Sequence, residues 1–221
     1  MATQVNVHAV KMPFVCFGAK AILYLHVPKT GGGTIEAWLR TLGPLHFHTV
    51  GLPAALRCTP QHLRMCDFRE LFGDGFFHHV FMTVRNPYTR IVSEYRMRAV
   101  LASQGFWQAW PTFSQWLETH LDLAAKDPFI LDNHLRPQWH FLGSGVEVMK
   151  FEMGLPAIVA RMANVIGVEP PSTLPHVHRT ADQGPEVRFD RVDRLRVREF
   201  YARDFEEFGY DPDDPAGTLD V

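Results

Sequence analysis

An apolar segment followed at once by a glycine-rich loop is the feature that most restricts how this chain can fold. Ala21–Val27 reads AILYLHV, a short run rich in β-formers, and Pro28 and three glycines come directly after it. Thr34–Leu42 then has apolar residues at helical spacings of three and four. The pattern predicts a buried strand, a tight loop and a helix, the unit from which α/β folds with a parallel sheet are built.

The same arrangement occurs a second time. His78–Val84 (HHVFMTV) predicts another buried strand, Asn86-Pro87 ends it, and Tyr88–Val100 has a helical pattern. The other predicted elements are helices at residues 59–71, 113–121, 155–166 and 186–208 and a strand at residues 147–151. This alternation predicts a three-layer α/β/α fold with a central parallel sheet.

Composition limits the classes of protein that need to be considered. The 221 residues, 46% of them hydrophobic, fit a single domain over residues 1–221 with its core at about 21–210. A net charge of −2 argues against a partner that is nucleic acid. No apolar run approaches the roughly 20 residues of a membrane span, and no signal peptide is evident, so we expect a soluble, cytoplasmic protein. Its three cysteines form no CxxC pair, which is typical of free thiols.

Residues 28–34 (PKTGGGT), called the first anion loop below, have the composition of a phosphate cradle. Glycines let backbone N–H groups approach an anion, and the N-terminus of the following helix adds a partial positive charge. Lys29 adds a full charge, and Thr30 and Thr34 add hydroxyl donors. The loop is not a Walker A motif, in which the lysine follows the glycines. A glycine-rich turn beside an exposed lysine is the alternative interpretation.

Residues 85–95 (RNPYTRIVSEY), the second anion loop, follow the second strand. Arg85 stands at the carboxyl end of that strand, where open α/β sheets bind ligands, and arginine can hold a phosphate through two parallel hydrogen bonds. Ser93 lies about two helical turns further on. Two anion loops at neighbouring strand ends indicate one ligand with two separated phosphate groups. Alternatively, Arg85 is only a structural ion-pair partner.

Together the two loops resemble the cofactor motifs of sulfotransferases that use 3′-phosphoadenosine-5′-phosphosulfate (PAPS). The first loop resembles the family's 5′-phosphosulfate loop and the second its 3′-phosphate segment. Five further segments, at residues 61–73, 132–138, 150–152, 175–180 and 204–210, resemble carbohydrate sulfotransferases of the glycosaminoglycan type. Unlike those Golgi enzymes, this sequence shows no membrane anchor and no disulfide pattern.

The resemblance implies a sulfotransferase with a P-loop nucleotide-binding-like fold. PAPS is then the sulfuryl donor, adenosine 3′,5′-bisphosphate the product, and a hydroxyl group, expected on a carbohydrate, the acceptor. The implied donor-binding residues are Pro28, Lys29, Thr30, Gly31, Gly32, Gly33, Thr34, Arg85 and Ser93. Lys29 would also stabilise the leaving group, so that no metal is required.

Transfer also requires a base for the acceptor hydroxyl and residues that hold the acceptor. The resemblance favours His62 as the base, with His134 as the second candidate and Glu36 as a weaker one. Arg136, Gln138 and Trp139 are the candidate acceptor contacts within an acceptor-binding insertion at residues 106–139, although Arg136 could instead hold the cleft together. We expect core packing for at least two of Trp107, Trp110 and Trp116.

Two other classes of function remain open at this point. A P-loop kinase or other phosphoryl transferase would need Mg²⁺ and a Walker-type lysine, and the order of residues in the first anion loop argues against it. A non-catalytic nucleotide-binding module would have lost chemical groups, whereas Lys29, Arg85 and Ser93 are all present.

Overall fold

The computed structural model describes residues 14–46, 55–102, 110–174 and 184–215, and within them a five-stranded sheet has the order β3-β1-β2-β4-β5. The strands are β1 (Phe14–Phe17), β2 (Lys20–Leu25), β3 (Leu45–His46), β4 (His79–Val84) and β5 (Val146–Lys150). Strands β2, β4 and β5 are parallel. Strand β1 is antiparallel to both β2 and β3. The sheet is therefore mixed, and the prediction of a parallel sheet holds only for its centre.

Helices lie on both faces of this sheet, as the three-layer prediction requires. The helices are α1 (Gly32–Leu42), α2 (Met65–Phe72), α3 (Pro87–Ala102), α4 (Phe113–Lys126), α5 (Leu155–Ile166), α6 (Arg191–Phe200) and α7 (Ala202–Phe208). Alternate strand residues such as Ile22 and Tyr24 pack against α1 and α5, whereas Leu23 and Leu25 pack against α2 and the 3₁₀ turn Gln138–Phe141. This alternation is the two-residue period of a strand that is buried on both faces.

A third cluster of buried side chains joins the helices beyond the edge of the sheet. Residues of α3, α4, α6 and α7 meet there around Trp116, which is 1% exposed. Trp110 packs partly buried against the same cluster. The expected core packing is therefore confirmed for these two tryptophans. Trp107 and the predicted 175–180 segment lie outside the described residues.

Two predicted helices are interrupted in the structure. The predicted 59–71 helix is a 3₁₀ turn, Pro60–His62, followed by two extended residues and α2. The predicted 186–208 helix begins only after Asp190, whose side chain caps Asp193 N–H, and it breaks at Tyr201 into α6 and α7. Tyr201 is buried and donates its hydroxyl to the carbonyl of Leu135, so a tertiary contact fixes the break. In the described part of the chain, no helix has the length and apolar character needed to cross a bilayer.

Candidate functional site

The two anion loops meet at the carboxyl ends of the neighbouring strands β2 and β4. The Nη1 atom of Arg85 lies 3.4 Å from the carbonyl oxygen of Lys29, so one loop contacts the other directly. A hydroxyl pair joins them as well, since Thr30 Oγ1 lies 2.7 Å from Thr83 Oγ1 at the end of β4. Parallel pairing of β2 with β4 brings together segments more than fifty residues apart. The strand ends thus form one site, at the edge of the sheet where α/β proteins bind ligands.

Glycine is required in the first anion loop because two side chains lie against its backbone. A Cβ atom on Gly32 would stand 2.4 Å from Nε2 of His26, and one on Gly31 would stand 2.6 Å from Leu155. Gly31 also has a φ of 87°, which side chains disfavour. Helix α1 begins directly at Gly32, so its N-terminal dipole points into the loop. This arrangement is a cradle for an anion.

The hydroxyl of Thr30 is already engaged within the protein. It donates to the carbonyl of Val27 at 2.7 Å and contacts Thr83, which in turn contacts the hydroxyl of Tyr24 at 2.5 Å. Thr30 is fully buried. This differs from the prediction that its hydroxyl donates to a phosphate, because its one proton faces inwards. The hydroxyl chain instead fastens the first anion loop to β2 and β4.

Arg85 is held in place from several directions. Its Nε donates to Thr89 Oγ1 at 2.9 Å, and its guanidinium stacks on the Phe151 ring at 4.6 Å. Burial lowers the pKa of Arg85 to about 10, with Glu152 acting in the opposite direction, so the side chain carries its charge at neutral pH. Ser93 lies half-buried on α3, the helix that begins two residues after Arg85. A cation oriented in this way can hold a phosphate group.

Gln138 and Arg136 are turned inwards rather than towards an acceptor. The amide of Gln138 accepts from Arg85 N–H at 2.9 Å and donates to Arg85 C=O at 2.8 Å, and the residue is fully buried. Arg136 is 3% exposed, and its Nε donates to the side chain of Asn133. Gln138 therefore positions Arg85, and Arg136 supports the cleft, which was the alternative considered for it. Trp139 is half-buried, and the Arg203 guanidinium lies 3.7 Å from its ring centre.

Three histidines form a row beside the anion loops. The rings of His26 and His62 meet edge to face at 5.2 Å, and those of His62 and His134 at 4.9 Å. Each Nδ1 atom faces a carboxylate: Glu36 at 2.5 Å from His26, Asp132 at 2.8 Å from His62, and Glu94 at 2.7 Å from His134. We call His26, His62 and His134 the histidine row. The structure thus brings together both histidines predicted as base candidates.

A strained segment presents the carboxylate that faces His62. Leu131, Asp132 and Asn133 all have left-handed φ values, of 51°, 61° and 64°. Such residues are costly one by one and typically persist at functional sites. Asp132 reaches His62 and the backbone N–H of Thr59, while the amide of Asn133 donates to the carbonyl of His62 at 2.9 Å. The segment therefore fixes both the ring and the backbone of His62.

Burial favours neutral imidazoles at His62 and His134, which face the carboxylates of Asp132 and Glu94. Burial lowers the pKa of His62 below 6.5, outweighing the hydrogen bond to Asp132, and burial lowers that of His134 likewise. Burial would raise the pKa of Glu94, but His134, Arg98 and Lys29 lower it to about 2. The pKa of Asp132 is also held below its usual range, against burial, by His62 and Thr59. In His62 and His134, an Nδ1–H that donates to the facing carboxylate leaves Nε2 as a lone-pair base.

Glu36 and a metal ion are less well suited to this site. Glu36 is fully buried, and its carboxylate faces His26 and the amide of Gln61, so its oxygens are engaged inside the protein. Ligand atoms of His62, Asp132 and His134 lie within 4.8 Å of one another. Both oxygens of Asp132 already accept hydrogen bonds from Thr59 and His62. The three residues are therefore described more simply as a hydrogen-bonded cluster than as a metal site.

Of the three carboxylates that face the row, only Glu36 was selected from the sequence, as a weaker base candidate. Asp132 lies in the segment DNHLRPQ, which was selected for His134, and Glu94 directly follows Ser93 in the second anion loop. His26, the last residue but one of the first predicted strand, was not selected either. Asp132 and Glu94 both lie in segments that had been selected, and this was the available sequence signal. Their pairing with His62 and His134 could not be predicted, because the partners are 70 and 40 residues apart in the chain.

A protein-family match covers the part of the chain that forms this site. A model of the sulfotransferase family matches residues 12–211, which include both anion loops and the histidine row. No match was found among curated proteins or among solved structures.

Proposed function

The chain belongs to the sulfotransferase family, and we propose that it transfers a sulfuryl group from PAPS to a hydroxyl group on a carbohydrate. The observation that carries the choice of donor is the contact between the two anion loops at adjacent strand ends. Adenosine 3′,5′-bisphosphate has two phosphate groups held apart by a ribose. A cradle that needs glycine and a separate oriented arginine suit such a ligand better than a single phosphate.

In this proposal the two loops divide the donor between them. The first anion loop holds the 5′-phosphosulfate through backbone N–H groups, the α1 dipole and Lys29. Arg85 and Ser93 of the second anion loop hold the 3′-phosphate. Thr30 contributes its backbone rather than its hydroxyl, which faces Val27 and Thr83. The nucleotide-binding part of the fold would then be of the P-loop-like type.

The proposed chemical step balances without an added reagent. PAPS, when bound, supplies the sulfuryl group. His62 Nε2 accepts the proton of the acceptor hydroxyl while the acceptor oxygen forms a bond to sulfur. The bond between sulfur and the 5′-phosphate oxygen breaks with its electron pair, and Lys29 stabilises the negative charge that develops there. His134 meets the His62 ring edge to face at 4.9 Å and serves as the alternative base.

The acceptor is proposed from its chemistry alone. Trp139 lies half-buried at the end of the 106–139 segment, and its ring, which also contacts the Arg203 guanidinium, is the aromatic group proposed for the apolar face of a sugar. Asp132, Asn133 and Arg136 belong to the same segment and reach His62 directly or through one another. An acceptor held by this segment would therefore lie next to the proposed base.

Calorimetric titration tests the two-phosphate site. We expect adenosine 3′,5′-bisphosphate to bind, AMP to bind less tightly, and Mg-ATP to show no preference over the bisphosphate. Arg85→Ala should weaken bisphosphate binding by about 10- to 100-fold, because it removes a charge-assisted pair. Arg40→Ala, an exposed arginine on α1, is the matched control and should bind as the wild type does. Preferential binding of Mg-ATP would overturn the proposal in favour of a phosphoryl transferase.

Metal dependence separates the same two functions in a second way. Because Lys29 and the α1 dipole supply the positive field, we expect transfer from PAPS to proceed unchanged after dialysis against EDTA. The measurement is release of bisphosphate from PAPS in the dialysed protein, with and without added MgCl₂. A rate that is lost on dialysis and restored by Mg²⁺ would contradict this expectation.

A further inference from the structure

A buried arginine of the second anion loop, Arg90, has no role in the mechanism so far. Arg90 lies on α3 and is 2% exposed. Its Nε donates to the carbonyl of Pro28 at 3.0 Å, and its Nη2 donates to the carbonyls of His134 at 2.8 Å and Arg136 at 3.0 Å. One guanidinium therefore binds the backbone of the first anion loop and the backbone of the segment that carries His134.

The three carbonyls that accept hydrogen bonds from Arg90 belong to residues next to the proposed reacting groups. Pro28 directly precedes Lys29, the proposed contact to the leaving group. His134 packs against His62, the proposed base, and Arg136 holds Asn133, which donates to the carbonyl of His62. Arg90 thus contacts a residue next to Lys29, on the side of the sulfuryl donor, and residues that contact His62, on the side of the acceptor.

Burying a guanidinium is costly unless its hydrogen-bonding groups are satisfied. The Nε and Nη2 groups of Arg90 donate to three backbone carbonyls that lie in different directions. The planar guanidinium can make these bonds together, whereas the single ammonium group of lysine has a different geometry. The Tyr201 ring, 5.7 Å from the guanidinium, closes a further side. The guanidinium therefore links the first anion loop to residues 134–136.

We propose that Arg90 is a positioning residue that sets the separation between the first anion loop and the His62–His134 pair. The inference rests on the proposed function, because it concerns the alignment of sulfuryl donor and base. In-line transfer needs reacting atoms about 3–3.5 Å apart, and a misplacement of about 1 Å can cost roughly 10²-fold in rate. Arg90 itself touches neither donor nor acceptor and acts through backbone carbonyls.

The test compares Arg90→Lys with Arg96→Lys. Arg96 also lies on α3, and its Nε donates to a backbone carbonyl, that of Pro185, which belongs to neither loop. Rates are measured as release of bisphosphate from PAPS, with unsulfated chondroitin as acceptor and with water alone. Binding of bisphosphate is measured by calorimetry. We expect Arg90→Lys to lower kcat by about 10²-fold with little change in bisphosphate affinity, and Arg96→Lys to behave as the wild type.

Chemical rescue adds a readout that a merely structural role would not produce. Arg90→Ala leaves a space of guanidinium shape, and added methylguanidinium should restore part of its kcat but should not raise that of Arg96→Ala. A wild-type rate in Arg90→Lys overturns the inference, as does a loss of kcat and of bisphosphate affinity in the same proportion. A wild-type protein that binds no bisphosphate overturns the proposed function first, and this inference with it.

Discussion

Replacing His62 by alanine is expected to slow sulfuryl transfer by about 10²- to 10⁴-fold while bisphosphate still binds, because a positioned general base contributes about that much. The Asp132 carboxylate lies 2.8 Å from Nδ1 of His62, so Nε2 is the proposed acceptor of the proton. The measurement is release of bisphosphate from PAPS, together with calorimetry on the same preparation. His134→Ala is expected to cost less, since His134 is the alternative base.

His120 provides the matched control for this substitution. It lies on α4, where it stacks on Trp116 and bonds the carbonyl of the same residue. His120→Ala should transfer at the wild-type rate. A normal rate in His62→Ala would show that the base is assigned wrongly.

The pH profile of the wild type checks the same assignment. Burial lowers the pKa of His62 below 6.5, so the imidazole is neutral, and able to accept a proton, above that lowered value. The rate should therefore be level near neutral pH and should fall as the pH drops through the lowered pKa. A rate that rises on acidification would contradict a neutral histidine base.

Lys29→Ala is expected to lower the rate of transfer by about 10²- to 10³-fold, the usual cost of removing one donor aimed at developing charge. Lys29 Nζ lies 3.1 Å from Met97 Sδ, on the helix α3 that carries Ser93, so the side chain extends from the first anion loop towards the second. The loss should fall mainly on kcat, because the charge on the leaving oxygen develops only during transfer.

Lys126→Ala is the control for the loss of a lysine charge, since Lys126 is exposed at the end of α4. It should leave kcat and bisphosphate affinity unchanged. If Lys29→Ala weakened bisphosphate binding and left kcat intact, Lys29 would serve in binding the nucleotide and not in stabilising the leaving group.

Local pattern predicted the parts of the fold that depend on nearest neighbours. Helix α5 lies where its periodicity predicts it, and the strands β2 and β4 begin and end within two residues of prediction. Strand β1 was missed, although it is joined to β2 by a two-residue turn in which Gly18 has a φ of 59°. Its four residues are too short a run to show a period. The antiparallel part of the sheet depends on pairing, which no local pattern contains.

The candidate site divides in the same way. Both anion loops could be predicted because their chemistry is written in consecutive residues. The partners of each side chain could not, since Thr30 faces Thr83 and Gln138 faces Arg85 only after β2, β4 and the 138–141 turn have packed. The left-handed conformation of residues 131–133 is likewise imposed by surrounding contacts and not by their own preferences.

The backbone of Lys29 has a consequence for how this protein can change. Its φ of 71° lies in the left-handed region, where a residue with a side chain is less stable than glycine by about 1–2 kcal/mol. Glycine would therefore suit this backbone conformation better than lysine. Under the role proposed for Lys29, selection for thermal stability alone would replace this lysine, whereas selection for turnover would keep it. At position 29, selection for stability and selection for turnover would thus favour different residues.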